Sequence, residues 1–156
     1  MSTSETSGLV TDMASLPEHV GQHIGYTEWS EMTQERVNQF ADATDDHQFI
    51  HVDVERAKAS PFGGTVAHGY LTLALLAPIS QQLLQVSNAL MGVNYGLDRV
   101  RFPAPVPVGA QWRGGAEIAE VTEVKGGLQV KLLVTLEVKG SEKPAMVAEA
   151  LIRLYG

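Results

Sequence analysis

The stretch Gly69-Tyr-Leu-Thr-Leu-Ala-Leu-Leu-Ala-Pro-Ile-Ser-Gln-Gln-Leu-Leu-Gln-Val86 decides the fold. Its apolar side chains occur almost all the way round a helical projection, which is typical of a buried helix rather than a surface helix. Pro78 lies inside the run and is expected to kink or divide it, because proline has no N–H to donate and its ring clashes with the preceding turn. The sequence therefore predicts one buried helix near the middle of the chain.

The residues that follow this helix change to a period of two. Between Leu128 and Val138, apolar side chains alternate with polar ones apart from Leu133, which is typical of an antiparallel strand with one buried face. Residues 89–102, 110–124 and 145–155 predict three more strands, separated by segments that contain proline or glycine. One buried helix and a run of long antiparallel strands predict an α+β fold in which the sheet wraps around the helix.

The first part of the chain is expected to contribute shorter elements. We expect disorder over residues 1–15, which begin with a Ser/Thr-rich segment, and a short lead-in helix within residues 9–20 that Pro17 limits. Residues 24–32 predict a strand. The remainder, residues 16–156, is expected to form a single domain, since no repeat or second domain is visible.

Two helices in this part have recognisable capping residues. Thr33 is predicted to cap a helix that begins at Gln34 and ends near Thr44, where residues 45–47 favour a turn. Asp53 is predicted to cap a second, short helix.

Composition excludes several classes of function. The 156 residues include no cysteine, so disulfides, thiolate nucleophiles and cysteine-ligated metal sites are absent. The formal net charge of −7 argues against nucleic-acid binding, and against an anionic ligand unless basic residues gather locally. The sequence shows no signal peptide and no apolar run long enough to span a membrane, so we expect a cytoplasmic protein with no membrane partner.

Two segments concentrate groups that can move protons. Phe40-Ala-Asp-Ala-Thr-Asp-Asp-His-Gln-Phe-Ile-His51 holds three aspartates and two histidines, and Val66-Ala-His-Gly-Tyr70 places a His-Gly step at the start of the buried helix. A carboxylate, an imidazole and a helix N-terminus are the parts that proton transfer beside a carbonyl requires.

These segments resemble the MaoC family of hot-dog-fold hydratases, the (R)-specific enoyl-CoA hydratases, and most closely its single-domain actinobacterial members. Asp46-His-Gln-Phe-Ile-His51 keeps the spacing of the family's Asp-x-Asn-Pro-(aliphatic)-His motif, with Gln48 and Phe49 in place of Asn and Pro. Thr65-Val-Ala-His-Gly69 and Val100-Arg-Phe-Pro-Ala-Pro-Val-Pro-Val-Gly109 resemble two further family motifs, and the resemblance extends over residues 22–155.

The resemblance implies the hot-dog fold and the reversible syn addition of water to a trans-2-enoyl thioester, giving an (R)-3-hydroxyacyl-CoA in fatty-acid metabolism. It implies that Asp46 and His51 form the catalytic pair and that the Gly69 N–H binds the thioester oxygen. It also implies a homodimer whose two sheets join edge to edge, with an acyl-CoA tunnel near the interface. CoA is part of the substrate, so no separate cofactor is expected.

The residue types fit this chemistry. A carboxylate and an imidazole that hold one water between them can transfer its protons without a metal or a covalent intermediate. Asp46 and His51 cannot share a helix face at their spacing, so a loop must bring them together. The Gly69 N–H would lie in the first turn of a helix, where it has no internal partner. Arg99 and Arg101 alternate along a strand and are predicted to bind CoA phosphates, with solvation or a dimer contact as alternatives.

The other acids and imidazoles in these segments are expected to have structural roles. Asp42 is predicted to be exposed on the first helix, Asp45 to cap it, and His68 to be buried and hydrogen-bonded. His47 lies at the variable position of the motif. The spacing of His47, His51 and His68 does not demand a metal, so no metal site is predicted.

Two other functions fit the same fold. A hot-dog thioesterase would hydrolyse the same class of thioester, because one fold serves both chemistries. A non-catalytic acyl-binding subunit would keep the dimer and the tunnel, although the presence of both Asp46 and His51 weighs against it.

Overall fold

The computed structural model describes residues 8–156 as an antiparallel sheet that packs against a two-part helix. In chain order the elements are β1 (Leu9–Thr11), a 3₁₀ helix (Leu16–His19), β2 (His23–Tyr26), β3 (Ser30–Glu31), α1 (Gln34–Thr44), α2 (Phe49–Val52), α3 (Val54–Ala57), α4 (Gly69–Ala74), α5 (Leu76–Leu83), β4 (Leu84–Val86), β5 (Met91–Arg101), β6 (Gln111–Val124), β7 (Gly127–Val138) and β8 (Met146–Tyr155).

The large sheet has the order β2-β6-β7-β8-β5, with β3 also paired to β6, and all of its pairings are antiparallel. The alternation predicted for β7 is confirmed, because Val130, Leu132, Val134 and Leu136 are all fully buried. The four long strands lie within two residues of the predicted bounds. Strand β5 forms one edge of the sheet, and its side chains are exposed along almost its whole length.

The central helix is divided, as the position of Pro78 predicted. Helices α4 and α5 are separated at Leu75, because Pro78 cannot donate a hydrogen bond to the carbonyl of Ala74. The prediction that the helix continues to Val86 was wrong, since the last three residues form β4, which pairs in parallel with β1.

The central helix is buried on one face only. Leu71, Leu75, Ile79 and Leu83 are each at most 5% exposed and face the sheet at a spacing of four residues. Gly114 on β6 lets α5 approach closely, since a Cβ at this position would overlap the Ile79 side chain. The opposite face, which includes Tyr70, stays uncovered. The expectation of burial almost all the way round was therefore wrong for this face.

The N-terminal part differs from its predictions. Strand β1 and the 3₁₀ helix replace both the disorder expected up to residue 15 and the lead-in helix expected over residues 9–20. Residues 1–7 lie outside the described part of the chain. The strand predicted over residues 24–32 is interrupted between β2 and β3, where Thr27 exchanges two hydrogen bonds with Gly114.

The predicted caps are confirmed. The Thr33 hydroxyl accepts a hydrogen bond from the Arg36 N–H at 3.1 Å, and Asp53 accepts one from the Arg56 N–H at 3.0 Å. Asp45 ends α1 in the left-handed conformation with φ 59°. Within residues 8–156, no helix is long and apolar enough to cross a membrane.

Candidate active site

The end of α1 places Asp46 beside the start of the central helix. Because Asp45 adopts a left-handed conformation, the chain turns there, and the Asp46 N–H donates to the Ala41 carbonyl at 3.2 Å. The Asp46 carbonyl accepts a hydrogen bond from Nε2 of His68 at 3.0 Å. The backbone of Asp46 is therefore held from both sides, while its side chain stays partly exposed.

His51 lies on the one-turn helix α2, with its ring buried at 7% exposure. Its Nδ1 donates a hydrogen bond to the Val66 carbonyl at 2.6 Å. A carbonyl oxygen can only accept, so in the neutral ring Nδ1 carries the proton and Nε2 carries the free lone pair. The local structure therefore prepares Nε2 of His51 to act as a base.

His68 connects these two residues. Its ring is 2% exposed and stacks on the His51 ring, with centroids 3.8 Å apart and planes 23° apart. Its Nε2–H is used by the Asp46 carbonyl, and no described residue hydrogen-bonds its buried Nδ1. The predicted buried, hydrogen-bonded state of His68 is confirmed.

The side chains of Asp46 and His51 converge. A carboxylate oxygen of Asp46 and a ring nitrogen of His51 lie within 4.8 Å of each other, as does a ring nitrogen of His68. One water can bridge two atoms at this separation, since each hydrogen bond spans about 2.7–3.2 Å. The turn after α1 thus brings Asp46 and His51 together, as their spacing in the sequence required.

Burial lowers the pKa of His51 below its ordinary value of 6.5. The hydrogen bond to Val66 and the charge of Asp46 raise this pKa, and the neighbouring His68 ring lowers it, but desolvation is the largest effect. His51 is therefore neutral, and available as a base, at neutral pH.

Gly69 and His51 both line an apolar cleft of about 310 Å³. Gly69 is the first residue of α4, so its N–H has no partner within the helix. The cleft is lined mainly by apolar side chains, among them Ile50, Phe62 and Phe102. Asp46 is not among the lining residues, but a carboxylate oxygen of Asp46 lies within 4.8 Å of a ring nitrogen of His51, which does line the cleft. His51 and Gly69 thus line one apolar space.

Asp46, His51 and His68 also have the composition of a metal site, whereas His47 lies outside this group. The geometry does not suit a metal ion. His51 Nδ1 and His68 Nε2 both donate to backbone carbonyls, which leaves one nitrogen on each ring. Because the rings are stacked, an ion between those two nitrogens would lie out of both ring planes, where no lone pair points. Proton transfer fits the arrangement better than metal binding.

Comparison with known proteins settles the family. The model of the MaoC-like dehydratase domain matches residues 15–140. The chain belongs to this family. It is 49% identical over 142 residues to the 3-hydroxyacyl-thioester dehydratase Z of Mycobacterium tuberculosis, covering 90% of this chain and 94% of that protein. It is 44% identical over 140 residues to the nodulation protein N of Rhizobium leguminosarum bv. viciae, covering 87% of this chain and 86% of that protein.

Solved structures with the same architecture confirm the predicted hot-dog fold. The unliganded R-hydratase of Pseudomonas aeruginosa superposes with a TM-score of 0.72 at 24% identity, covering 87% of this chain and 81% of that one. The (R)-hydratase of A. caviae gives a TM-score of 0.72 at 24% identity, covering 86% and 96%. At these identities the two structures show the fold alone.

The other acids and imidazole near the end of α1, Asp42, Asp45 and His47, do not line the cleft of this MaoC-like domain. Asp42 is exposed. Its Oδ1 lies 3.0 Å from Nε2 of His47, and the two side chains form a hydrogen-bonded pair on the surface. Asp45 is the C-cap of α1. The structural placements predicted for Asp42 and Asp45 are confirmed.

Arg99 and Arg101 are not brought to the cleft within one protomer. In the register of β5 with β8, Arg99 lies opposite Glu149 and Arg101 lies opposite Val147. Glu149 and Val147 flank the buried Ala148, so both arginines lie on the face of the sheet that points away from the central helix. The Arg101 guanidinium donates to the Val100 carbonyl. Their predicted contact with CoA therefore stays a prediction without support from the geometry of the cleft.

Gln34 is a site residue that the sequence did not reveal. It begins α1, and its Nε2 donates to the His51 carbonyl at 2.7 Å while its Oε1 accepts from the Thr65 hydroxyl at 2.7 Å. Gln34 lies outside the three family motifs, and its sequence position marks only a helix start. Its role depends on three separate segments that meet in the fold.

Proposed function

We propose that this protein is an (R)-specific enoyl-CoA hydratase, or 3-hydroxyacyl-CoA dehydratase in the reverse direction. The observation that carries the proposal is the approach of Asp46 and His51 to within 4.8 Å, beside a cleft onto which Gly69 opens at a helix N-terminus. The mycobacterial relative is named a 3-hydroxyacyl-thioester dehydratase, which supports the same thioester chemistry.

In the proposed reaction, one water lies between the Asp46 carboxylate and Nε2 of His51. The pair takes a proton from this water as its oxygen bonds to C3 of the enoyl thioester, and the π electrons move toward the thioester oxygen. The Gly69 N–H stabilises the resulting enolate charge, and a proton then passes from the pair to C2. Delivery of oxygen and proton from the same side gives syn addition, and the reverse sequence eliminates water.

The acyl chain is proposed to lie along the uncovered face of the central helix. A second cleft, of about 250 Å³, begins one turn beyond Gly69 at Leu73 and continues past Ala77. It lies between α4 and α5 on one side and β5 and β8 on the other, and its lining is mostly apolar. An extended alkyl chain with its thioester at Gly69 could pass directly into this groove.

The protein is proposed to act as a homodimer through β5. This edge strand is eleven residues long and exposes Met91, Val93, Tyr95 and Leu97, each by at least 41%. An exposed apolar edge of this length invites pairing with another strand. Pairing with β5 of a second copy would extend the sheet and would cover the open side of the acyl groove. A cytoplasmic location stays a prediction.

One assay tests the function against its two alternatives. The pure protein is incubated with a short and a long trans-2-enoyl-CoA, and loss of the conjugated double bond, formation of 3-hydroxyacyl-CoA and release of free thiol are followed together. We expect loss of the double bond with a matching amount of (R)-3-hydroxy product and no thiol. Thiol without the 3-hydroxy product would identify a thioesterase, and binding without turnover at either chain length would identify an acyl-binding subunit.

A further inference from the structure

The Gln34 side chain joins the two chain segments that orient the His51 imidazole. One segment is α2, whose residue His51 presents its backbone carbonyl to Gln34 Nε2 at 2.7 Å. The other is residues 65–67, where the Thr65 hydroxyl donates to Gln34 Oε1 at 2.7 Å. The next residue in that segment, Val66, supplies the carbonyl that fixes the His51 ring at 2.6 Å.

The hydrogen bonds determine the orientation of the Gln34 amide. The His51 carbonyl can only accept, so the NH₂ group must face it. The second Nε2 hydrogen is directed to Oδ1 of Asn38 at 2.9 Å, and the remaining oxygen faces the Thr65 hydroxyl. The amide thus uses both hydrogens and its oxygen, and a rotated amide would place two oxygens against each other at His51.

One backbone hydrogen bond also joins the two segments. The Val66 N–H donates to the Ile50 carbonyl at 2.9 Å, which joins the backbones but does not fix the His51 carbonyl. Residues 65–67 are also held from the far side by the loop around Val106, where the Ala67 N–H donates to the Val106 carbonyl at 2.9 Å and the Thr65 carbonyl accepts from the Val108 N–H at 3.0 Å. Gln34 is the side chain that spans from His51 to this fixed segment.

We propose that Gln34 is a positioning residue that holds His51 and Val66 at the separation at which Nδ1 of His51 keeps its proton and donates it in a hydrogen bond to the Val66 carbonyl. It thereby keeps the Nε2 lone pair of His51 directed at the water site. The inference rests on the proposed hydratase function for its kinetic consequence. Its structural consequence, the tautomer of His51, does not depend on that function.

The test combines a tautomer measurement with kinetics in Gln34→Met, which keeps the length of the side chain and removes its polar atoms. Protein labelled with ¹⁵N-histidine gives ring nitrogen signals that distinguish Nδ1–H from Nε2–H, and loss of a signal in His51→Ala assigns His51. In the wild type we expect a single Nδ1–H tautomer. In Gln34→Met we expect a mixed or Nε2–H population, and a fall in kcat of about 10- to 100-fold with a smaller change in KM, because misplacement of a reacting group by about 1 Å can cost 10²-fold.

Three further variants make the result specific. Gln34→Glu keeps the acceptor for Thr65 and suits the first turn of a helix, but replaces the donor to the His51 carbonyl, so it should reproduce the Met result even if Gln34→Met fails to fold. Thr65→Ser retains the hydroxyl and should keep the wild-type tautomer. Gln39→Met, an exposed change on the same helix, should alter neither measurement.

The outcomes separate the two proposals. A wild-type tautomer in both folded Gln34 variants would overturn the positioning role, even if turnover falls, because the residue would then act only through general stability. Absence of hydratase activity in the wild type would remove the proposed function and leave the tautomer result to decide on Gln34.

Discussion

The imidazole rings of His51 and His68 are stacked, with centroids 3.8 Å apart. The stack buries one face of the proposed base, and the His68 ring also packs against the Phe40 ring, with centroids 4.9 Å apart. Burial, and to a smaller extent the neighbouring His68 ring, disfavour a positive charge on His51, so the pKa of His51 is lowered and its neutral form is favoured. The pairing therefore links the packing of the central helix to the proton chemistry of the site.

The pH dependence of activity follows from this environment. Burial lowers the pKa of His51 below 6.5, with His68 adding to the effect and Val66 and Asp46 opposing it. The base form should therefore persist into mildly acidic solution. We expect the acidic limb of kcat/KM for hydration to lie below pH 6.5. A limb at or above that value, measured with a substrate that does not titrate in the range, would contradict this assignment of the base.

The same pKa shift predicts a pH dependence of stability. Below pH 6.5 the unfolded chain binds the His51 proton more readily than the folded protein does. The stabilising contribution of neutral His51 is thus fully present above that pH and is lost as the pH falls through the lower folded pKa. Urea unfolding across this window should show a smaller loss of unfolding free energy in His51→Ala than in the wild type. Equal slopes would show that the folded pKa of His51 is not lowered.

The roles of Asp46 and His51 can be tested against an exposed acid–imidazole pair that is close to them in sequence. Asp46→Asn and His51→Ala should each lower kcat by about 10²–10⁴-fold, which is the usual contribution of a positioned acid or base. Asp42 and His47 form a similar acid–imidazole contact on the surface. Asp42→Asn and His47→Ala should therefore leave kcat unchanged. Near-wild-type turnover in either Asp46→Asn or His51→Ala would remove that residue from the mechanism.

Gly69→Ala separates stability from activity. The nearest atoms to a Cβ at this position belong to the Phe102 ring, at 3.4 Å, which is ordinary van der Waals contact, so the fold should tolerate it. Alanine in the first turn should leave the thermal midpoint unchanged or raise it, because it reduces the entropy of the unfolded chain. The methyl group would, however, obstruct the approach of the thioester oxygen to the Gly69 N–H. We therefore expect kcat to fall by up to roughly 10²–10³-fold, which is the usual effect of losing one oxyanion donor.

The control for this change is Gly64→Ala, where a Cβ would have no neighbour within 4 Å. It should affect neither the thermal midpoint nor turnover. Full activity in Gly69→Ala would show that the thioester oxygen binds elsewhere.

Features set by local sequence were the ones the sequence predicted well. Thr33, Asp45 and Asp53 act on backbone groups within a few residues, so their capping roles follow from short-range chemistry. Strand β7 was predicted because its alternation extends over almost the whole strand. The division of the central helix followed from Pro78 for the same local reason.

Features that depend on distant segments were not predictable in this way. Strands β1 and β4 are three residues each and form only because two remote parts of the chain meet. Some apolar residues of α4 and α5 stay exposed. From the sequence alone, an apolar residue on a buried face cannot be distinguished from one that lines a ligand groove. Gln34 contacts His51 and Thr65 across 17 and 31 residues of sequence, so no local pattern could indicate it.

Acyl chain length should depend on Ala77. This side chain lines the groove that begins beyond Gly69, and it has space on its exposed side. Ala77→Leu should shorten the groove and lower kcat/KM for a long enoyl-CoA by about 10-fold or more, while a short enoyl-CoA is little affected. Gln82→Leu on the same helix, outside the groove lining, is the control. An equal effect on both chain lengths would place the acyl chain elsewhere.

The edge of β5 should determine the oligomeric state. Val93 is an apolar residue of this edge strand with 42% exposure. A lysine at this position would face a second copy of the protein. It would also lie beside Arg153, which is its neighbour in the register with β8. Like charges at a closely paired edge are unfavourable, so Val93→Lys should shift a dimer toward monomer in sedimentation or light-scattering measurements. Val147→Lys is the matched control, because Val147 is 39% exposed but lies on β8, which is paired on both sides. A wild-type monomer, or dimers that survive Val93→Lys but not Val147→Lys, would show that the β5 edge is not the interface.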